Sequence, residues 1–429
     1  MIGFSVGLSL TPGRGGGRWW NSAAYQAGDA DTGQTLGPAA ILDFSGQRYM
    51  LSDAAAPFDS VVDFTRAGAA TYIDADGLIQ LAAADQPRFD YTLGRRQLLL
   101  EGPATNLLTH SNDFTNAAWL KTRVSAVKTE AGPSGAPDDA CAIVAAPEAG
   151  SHYIYRPVTF SAQPYTLTLR VKYAGHRWFY IRLYDGSNLP LASFDLLNGV
   201  AGNTSGAVAR TMTADGNGFY KITVTATMAA GTGNVLLGLN ATDAAGIDGW
   251  TPTGAEKVIV HGTQLETGSH STSYIPTAGT TVTRPADRAQ LTEPVAALLR
   301  REEASVLVQG EGAYGVGGRL LSGPASTDFL LAITSGIVAG RPNVILHTPV
   351  EQPVPSFGAA FGWSEDEMSG SYQGGVVQSN PETQEAGLSQ VYLGRNATGN
   401  FANGWYDQLV IWPYRITDAD LQARAVSYA

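Results

Sequence analysis

The sequence predicts an all-β protein, and three observations carry that prediction. Apolar and polar residues alternate over short runs, most clearly at 165–173 and 219–228. Turn phrases such as "YDGSN", "DGNG" and "AAGTGN" separate these runs, and the chain holds 50 glycines and 22 prolines. No long helical periodicity interrupts the pattern. At 429 residues the chain exceeds one small core. Two β-sandwich domains in tandem behind an extended N-terminal arm are therefore expected.

Taken in order, residues 1–60 read as the arm. The stretch "TPGRGGGRWWN" is flexible and ends in Trp19 and Trp20. These rings either anchor the arm on a partner or cap the neighbouring domain. Residues 61–108 read as short hairpins or an extended connector, with "DADG" turning between runs at 70–73 and 78–81. Residues 109–287 form the first sandwich. Its last strand lies in "AEKVIVHGTQLETG", and Tyr274, Ile275 and Pro276 are expected to fold back over an open edge. Glu266 there reads as a turn-stabilising or solvated carboxylate. Residues 288–303 read as a helical linker, with Thr292 and Pro294 at the helix start. Residues 304–429 return to strands, at 306–308, 329–333, 344–346, 359–363, 391–393 and 405–412. A closing helix follows, on which Thr417 and Asp420 resemble a capping box.

Composition narrows the partners. The net charge is −11 and no Lys/Arg cluster stands out, which argues against nucleic acid and anionic membranes. Cys141 is the one cysteine, so neither an intrachain disulfide nor a multi-cysteine zinc site is available. The histidines at 110, 152, 176, 261, 270 and 347 lack metal-ligand spacing, and no cofactor is expected. The apolar opening "MIGFSVGLSL" is too short to span a membrane and lacks a basic lead.

Three phrases in fixed order, "FTRAGAATYIDADGLIQLAAADQPRFDY", "ATNLLTHSNDFTNAAWLKT" and "GTQLETGSHSTSYIPTAGTTVTRPAD", resemble those of phage head spike and tail fibre proteins. Where that family often reads L-L-I-E-E-x-R-T-N-L, this chain reads "LLLEGPATNLL", without the Arg. The segment "LGRNATGNFANGWYDQLVIWPYRITDADLQ" is similar to concanavalin A-like, laminin-G-type domains, in which structural calcium is an open option. The resemblance implies a jelly-roll, carbohydrate-binding-like domain followed by the laminin-G-type one. It further implies a virion protein of a phage or gene transfer particle, assembled in the bacterial cytoplasm and joined to other virion proteins through its arm. Such proteins are often homo-oligomers, trimers among them, and adhere to bacterial surface polysaccharide.

Within this frame the strand in "HRWFYIRLYDG" is the candidate carbohydrate-binding site. Alternation puts Trp178, Tyr180, Arg182 and Tyr184 on one face. Aromatic rings cover the apolar faces of sugars and Arg donates to their oxygens. The competing reading packs this face against a neighbouring subunit or domain. Trp363, Tyr372 and His347 are a weaker second surface. Glu365 and Glu367 in "WSEDEM" have the spacing of a glycosidase pair but read as an acidic hairpin tip. No catalytic residue is assigned. Non-enzymatic adhesion is the leading expectation, with a polysaccharide-degrading spike and a purely structural particle protein as alternatives.

Overall fold

The computed structural model describes residues 19–313, 318–324, 329–333, 337–339, 354–381 and 388–426. Residues 1–18, the run at 344–346 and His347 lie outside the described residues. The chain is all-β, and its strands build two sandwiches.

One sandwich takes residues 104–284. Its two six-stranded antiparallel sheets face each other. The first runs in the order Leu120–Thr122, His152–Phe160, Gly231–Asn240, Trp178–Tyr184, Leu191–Asp195, Val200–Ser205. The second runs Val124–Glu130, Ala140–Ala145, Lys257–Thr267, Gln163–Tyr173, Tyr220–Met228, Ala209–Ala214. Period-two alternation sorts their faces as expected. Leu167, Leu169, Val171, Ile222, Val224, Ala226 and Met228 point inward against Phe179, Ile181, Leu183, Leu237 and Leu239 of the opposite sheet. Cys141 is buried in this core, and burial pushes its thiol pKa up, so it serves as packing.

The second sandwich departs from a tandem arrangement. Its larger sheet carries Ala304–Ala313 and Gly404–Trp412 at its centre. Ala40–Asp43, Arg48–Leu51 and Ala54–Ala55 extend it on one side. Gln97–Leu100 pairs with the other half of Gly404–Trp412. In the opposing sheet Arg288–Leu291 lies between Val62–Thr65 and Tyr392–Leu393. Residues from both chain ends share one core, from Leu42, Phe44 and Leu98 to Phe361, Trp363 and Leu409. The 104–284 sandwich is thus inserted into a base sandwich built from residues before and after it.

This corrects three expectations. Residues 19–60 are not a free arm: Trp20 is buried with Tyr25, Ile41, Met50, Trp412 and Leu421 on the outer side of the larger base sheet. Its indole donates to Asp53 Oδ1 at 2.6 Å. Residues 61–108 supply base strands as well as the expected hairpin of Ala70–Ile73 and Ile79–Ala82. Residues 288–303 begin as a strand, and only Glu293–Ala296 is α-helical, continued by a 3-10 turn. Val295, Ala296 and Leu299 anchor that turn in the base core, so it is no exposed linker.

The crossings between sandwiches meet at Glu101 and Asp287. Glu101 N donates to Asp287 Oδ2 at 2.9 Å, and Asp287 N donates to the Glu101 carbonyl at 2.9 Å. Around them three buried arginines converge. Arg66 pairs with Asp287 at 3.0 Å and Arg88 with Glu101 at 2.8 Å. Arg88 also pairs with Asp287, and Arg284 lies 3.4 Å from Glu101. Burial alone would raise the Glu101 carboxyl, but Arg284, Arg88 and two bonds from Ser273 hold it at about 2.

Candidate functional site

The strand Trp178–Tyr184 lies inside the first sheet of the inserted sandwich, between Gly231–Asn240 and Leu191–Asp195. Phe179, Ile181 and Leu183 enter the core. Trp178, Tyr180, Arg182 and Tyr184 therefore share the outer face, as alternation requires. Pairing across the sheet adds residues that no local pattern points to. Tyr153, Gly238, Tyr180 and Ser193 form one cross-strand row. Tyr155, Leu236, Arg182 and Leu191 form the next. Tyr153 and Tyr155 lie 5.8 Å apart ring to ring, so two further aromatics join the face. Sequence reading missed them because neighbours across a sheet are set by register, not by spacing along the chain.

The four predicted residues do not play equal parts. Trp178, Arg182 and Tyr184 are half-buried, whereas Tyr180 is fully buried. Its ring fills the space over Gly238, where any side chain would collide with it. Tyr180 is thus floor rather than platform, which corrects the expectation of four exposed neighbours. Trp178 is covered on one side by Arg177, whose guanidinium carbon stands 4.6 Å from the ring centre. Arg177 is in turn fixed by Asp195 at 2.7 Å. The loop at 241–249 follows Asn240, the residue opposite Trp178, and its Asp243 accepts from Asn203 N at 2.8 Å. The Tyr184 hydroxyl donates to the Gly186 carbonyl at 3.2 Å.

The other candidates settle into structural work. Trp363 is core, its indole donating to the Arg301 carbonyl at 3.0 Å, and Tyr372 packs against the same core. Glu365 and Glu367 occupy the turn between Val354–Trp363 and Met368–Tyr372, and Arg415 holds Glu367. Glu266 is buried and accepts from Thr272 N at 3.0 Å, Thr272 Oγ1 at 2.6 Å and Gln264 Nε2 at 2.8 Å. It shapes the fold-back, and burial raises its pKa. A cleft of about 510 Å³ opens beside it between the sandwiches, lined also by Thr105, His270, Thr283, Phe401 and Asn403. Among the described residues no cluster of His, Cys, Asp or Glu is arranged to hold a metal, and no helix is long and apolar enough to cross a membrane.

No family model matches the chain, and no curated protein matches it. Among solved structures it is similar to a Trypanosoma rangeli sialidase in complex with sialic acid, at 11% identity and a TM-score of 0.24, over 72% of this chain and 63% of that one. The same enzyme with the inhibitor DANA gives 10% identity and a TM-score of 0.22, over 70% and 62%. The chain thus spans less than two thirds of those structures, and likenesses this faint carry no argument about fold or activity.

Proposed function

We propose that this protein is a non-enzymatic adhesin of a phage or phage-like particle, a spike or fibre whose inserted sandwich binds bacterial surface polysaccharide. The particle assignment rests on the ordered sequence phrases. The same resemblance supports a jelly-roll identity for the inserted sandwich and a laminin-G-type identity for the base.

The observation that carries the binding reading is the outer face itself. Trp178, Tyr184, Tyr153 and Tyr155 are large, partly exposed and gathered on one regular sheet around Arg182. Along a strand, alternate residues stand about 6–7 Å apart, and adjacent strands about 5 Å. That spacing suits rings stacking on successive sugar units, with the rigid sheet paying little ordering entropy.

The test is incubation of purified protein with capsular polysaccharide from bacteria that adsorb the particle, measuring retention and new reducing ends together. Retention without cleavage is the expected result. Cleavage would make it a degrading spike, and neither retention nor cleavage a structural component.

A further inference from the structure

Arg182 lacks the partner its setting demands. The buried arginines at the sandwich junction are each matched by carboxylates, and so is the more exposed Arg177. Arg182 has none among the described residues. Its Nε is buried without a hydrogen-bond partner. The ionisable groups acting on it are the phenols of Tyr180 and Tyr153, and burial lowers its pKa. On the same face the fully buried Tyr180 hydroxyl is also unbonded, as is Ser193 Oγ in Tyr180's cross-strand row. Buried polar groups are nearly always paired, and a partly buried cation without a counter-charge is costly. The Tyr180 and Ser193 hydroxyls are sealed from the surface, so it is the half-exposed Arg182 guanidinium, without a carboxylate and on the same face as Tyr153 and Tyr155, that points to an occupant carrying a negative charge.

We infer that the polysaccharide bound here is acidic, with the carboxylate of a uronic-acid-class sugar seated on Arg182 and its ring against Tyr153 and Tyr155. This rests on the glycan-binding reading and narrows it. A single guanidinium matches the single charge and planar fork of a carboxylate. The net charge of −11 opposes long-range attraction to an acidic polymer, so local pairing at Arg182 has to carry recognition.

The experiment is retention on an array of purified bacterial polysaccharides, each presented native and after chemical reduction of its carboxyls to alcohols, with dextran sulfate as a non-carboxylate anion. Retention on carboxylate-bearing polymers should fall at least tenfold on reduction. It should fall similarly for Arg182→Gln and less for Arg182→Lys, which keeps the charge but loses the fork. Carboxyl reduction alters only the ligand, so the test holds even where a variant folds poorly. Binding that survives reduction, or is as strong on dextran sulfate, overturns the acidic-sugar inference and leaves glycan adhesion standing. Retention on no polysaccharide overturns both.

Discussion

Trp178 and Tyr180 stand two residues apart on the same face, yet the structure gives them opposite work. Trp178 is half-exposed, so Trp178→Ala should weaken glycan retention by about thirtyfold, roughly 2 kcal/mol for an aromatic hot spot, with little change in melting temperature. Tyr180 fills the space over Gly238, so Tyr180→Ala should cost about 3–5 kcal/mol of stability as a large-to-small cavity. Tyr180→Phe should be nearly neutral for folding, because it removes a buried hydroxyl that has no partner. Chemical denaturation of the two variants checks the pair, and equal losses would refute this division. Alternation along the strand made the shared face legible. It could not show which ring is covered, since that depends on a glycine 58 positions away. The charged residues make their own prediction. Glu101 and Asp139 are held at about 2, below their unfolded values, so their contribution is complete above those values and drains away as pH falls. Glu266 is raised and works the other way, favouring the folded state once protonated. The depressed pair should dominate, and the melting temperature should drop between about pH 5 and pH 3. A flat profile over that range would contradict the pairing of Glu101 with its arginines and of Asp139 with His261.

At the scale of elements, the fold-back after Lys257–Thr267 is tied down by several side chains, among them one from far upstream. Asn106 Nδ2 donates to the carbonyls of Thr263 and Ile275 at 3.1 and 3.0 Å. Its Oδ1 accepts from Leu108 N and Leu265 N at 3.0 and 3.2 Å. Thr277 Oγ1 donates to the Leu108 carbonyl at 2.6 Å, and Tyr274 meets Ser111 at 2.7 Å. The phrase "ATNLLTHS" and the phrase "SYIPT" are therefore two halves of one clasp, which the sequence displays as punctuation without showing that the halves touch. Asn106→Ala strips partners from four buried backbone groups. It should cost about 3 kcal/mol or more, read by denaturant midpoint, at about 1 kcal/mol for each group left unpaired. The closing helix was legible for a local reason, because Thr417 Oγ1 accepts from Asp420 N at 3.2 Å. The Asp420 carboxylate accepts from Thr417 Oγ1 at 3.0 Å and also from Gly28 N at 2.8 Å, the second a contact no helix signature encodes. The helix start at Thr292 and Pro294 is where the sequence places it, but the strand at 288–291 is hidden within the expected linker because Arg-Ala-Gln-Leu has good helix propensity and pairs only with partners distant in sequence.

For the whole molecule, the insertion changes what counts as a foldable piece. The sequence shows two regions of β pattern and a Pro-containing boundary between them, which invites a cut near residue 288. That cut leaves a C-terminal fragment without Ala40–Asp43, Val62–Thr65 and Gln97–Leu100, which supply neighbours to Gly404–Trp412 and Arg288–Leu291. Its sheets would expose unpaired edges and an open core. The fragment 288–429 should therefore be insoluble or unfolded, and proteolysis of the intact protein should spare 288–303, whose apolar side chains lie in the base core. The opposite excision should succeed. Glu101 and Asp287 are hydrogen-bonded neighbours, so replacing residues 103–285 by a short glycine linker spans a gap the native backbone already closes. The excised base loses Ser273 and Arg284, but Arg66 and Arg88 keep Asp287 and Glu101, so the paired ions remain paired. Cooperative unfolding of that deletion, with a β-rich circular dichroism spectrum and no glycan retention, is the expected result. A folded 288–429 fragment beside an unfolded deletion would restore the tandem arrangement and refute the insertion.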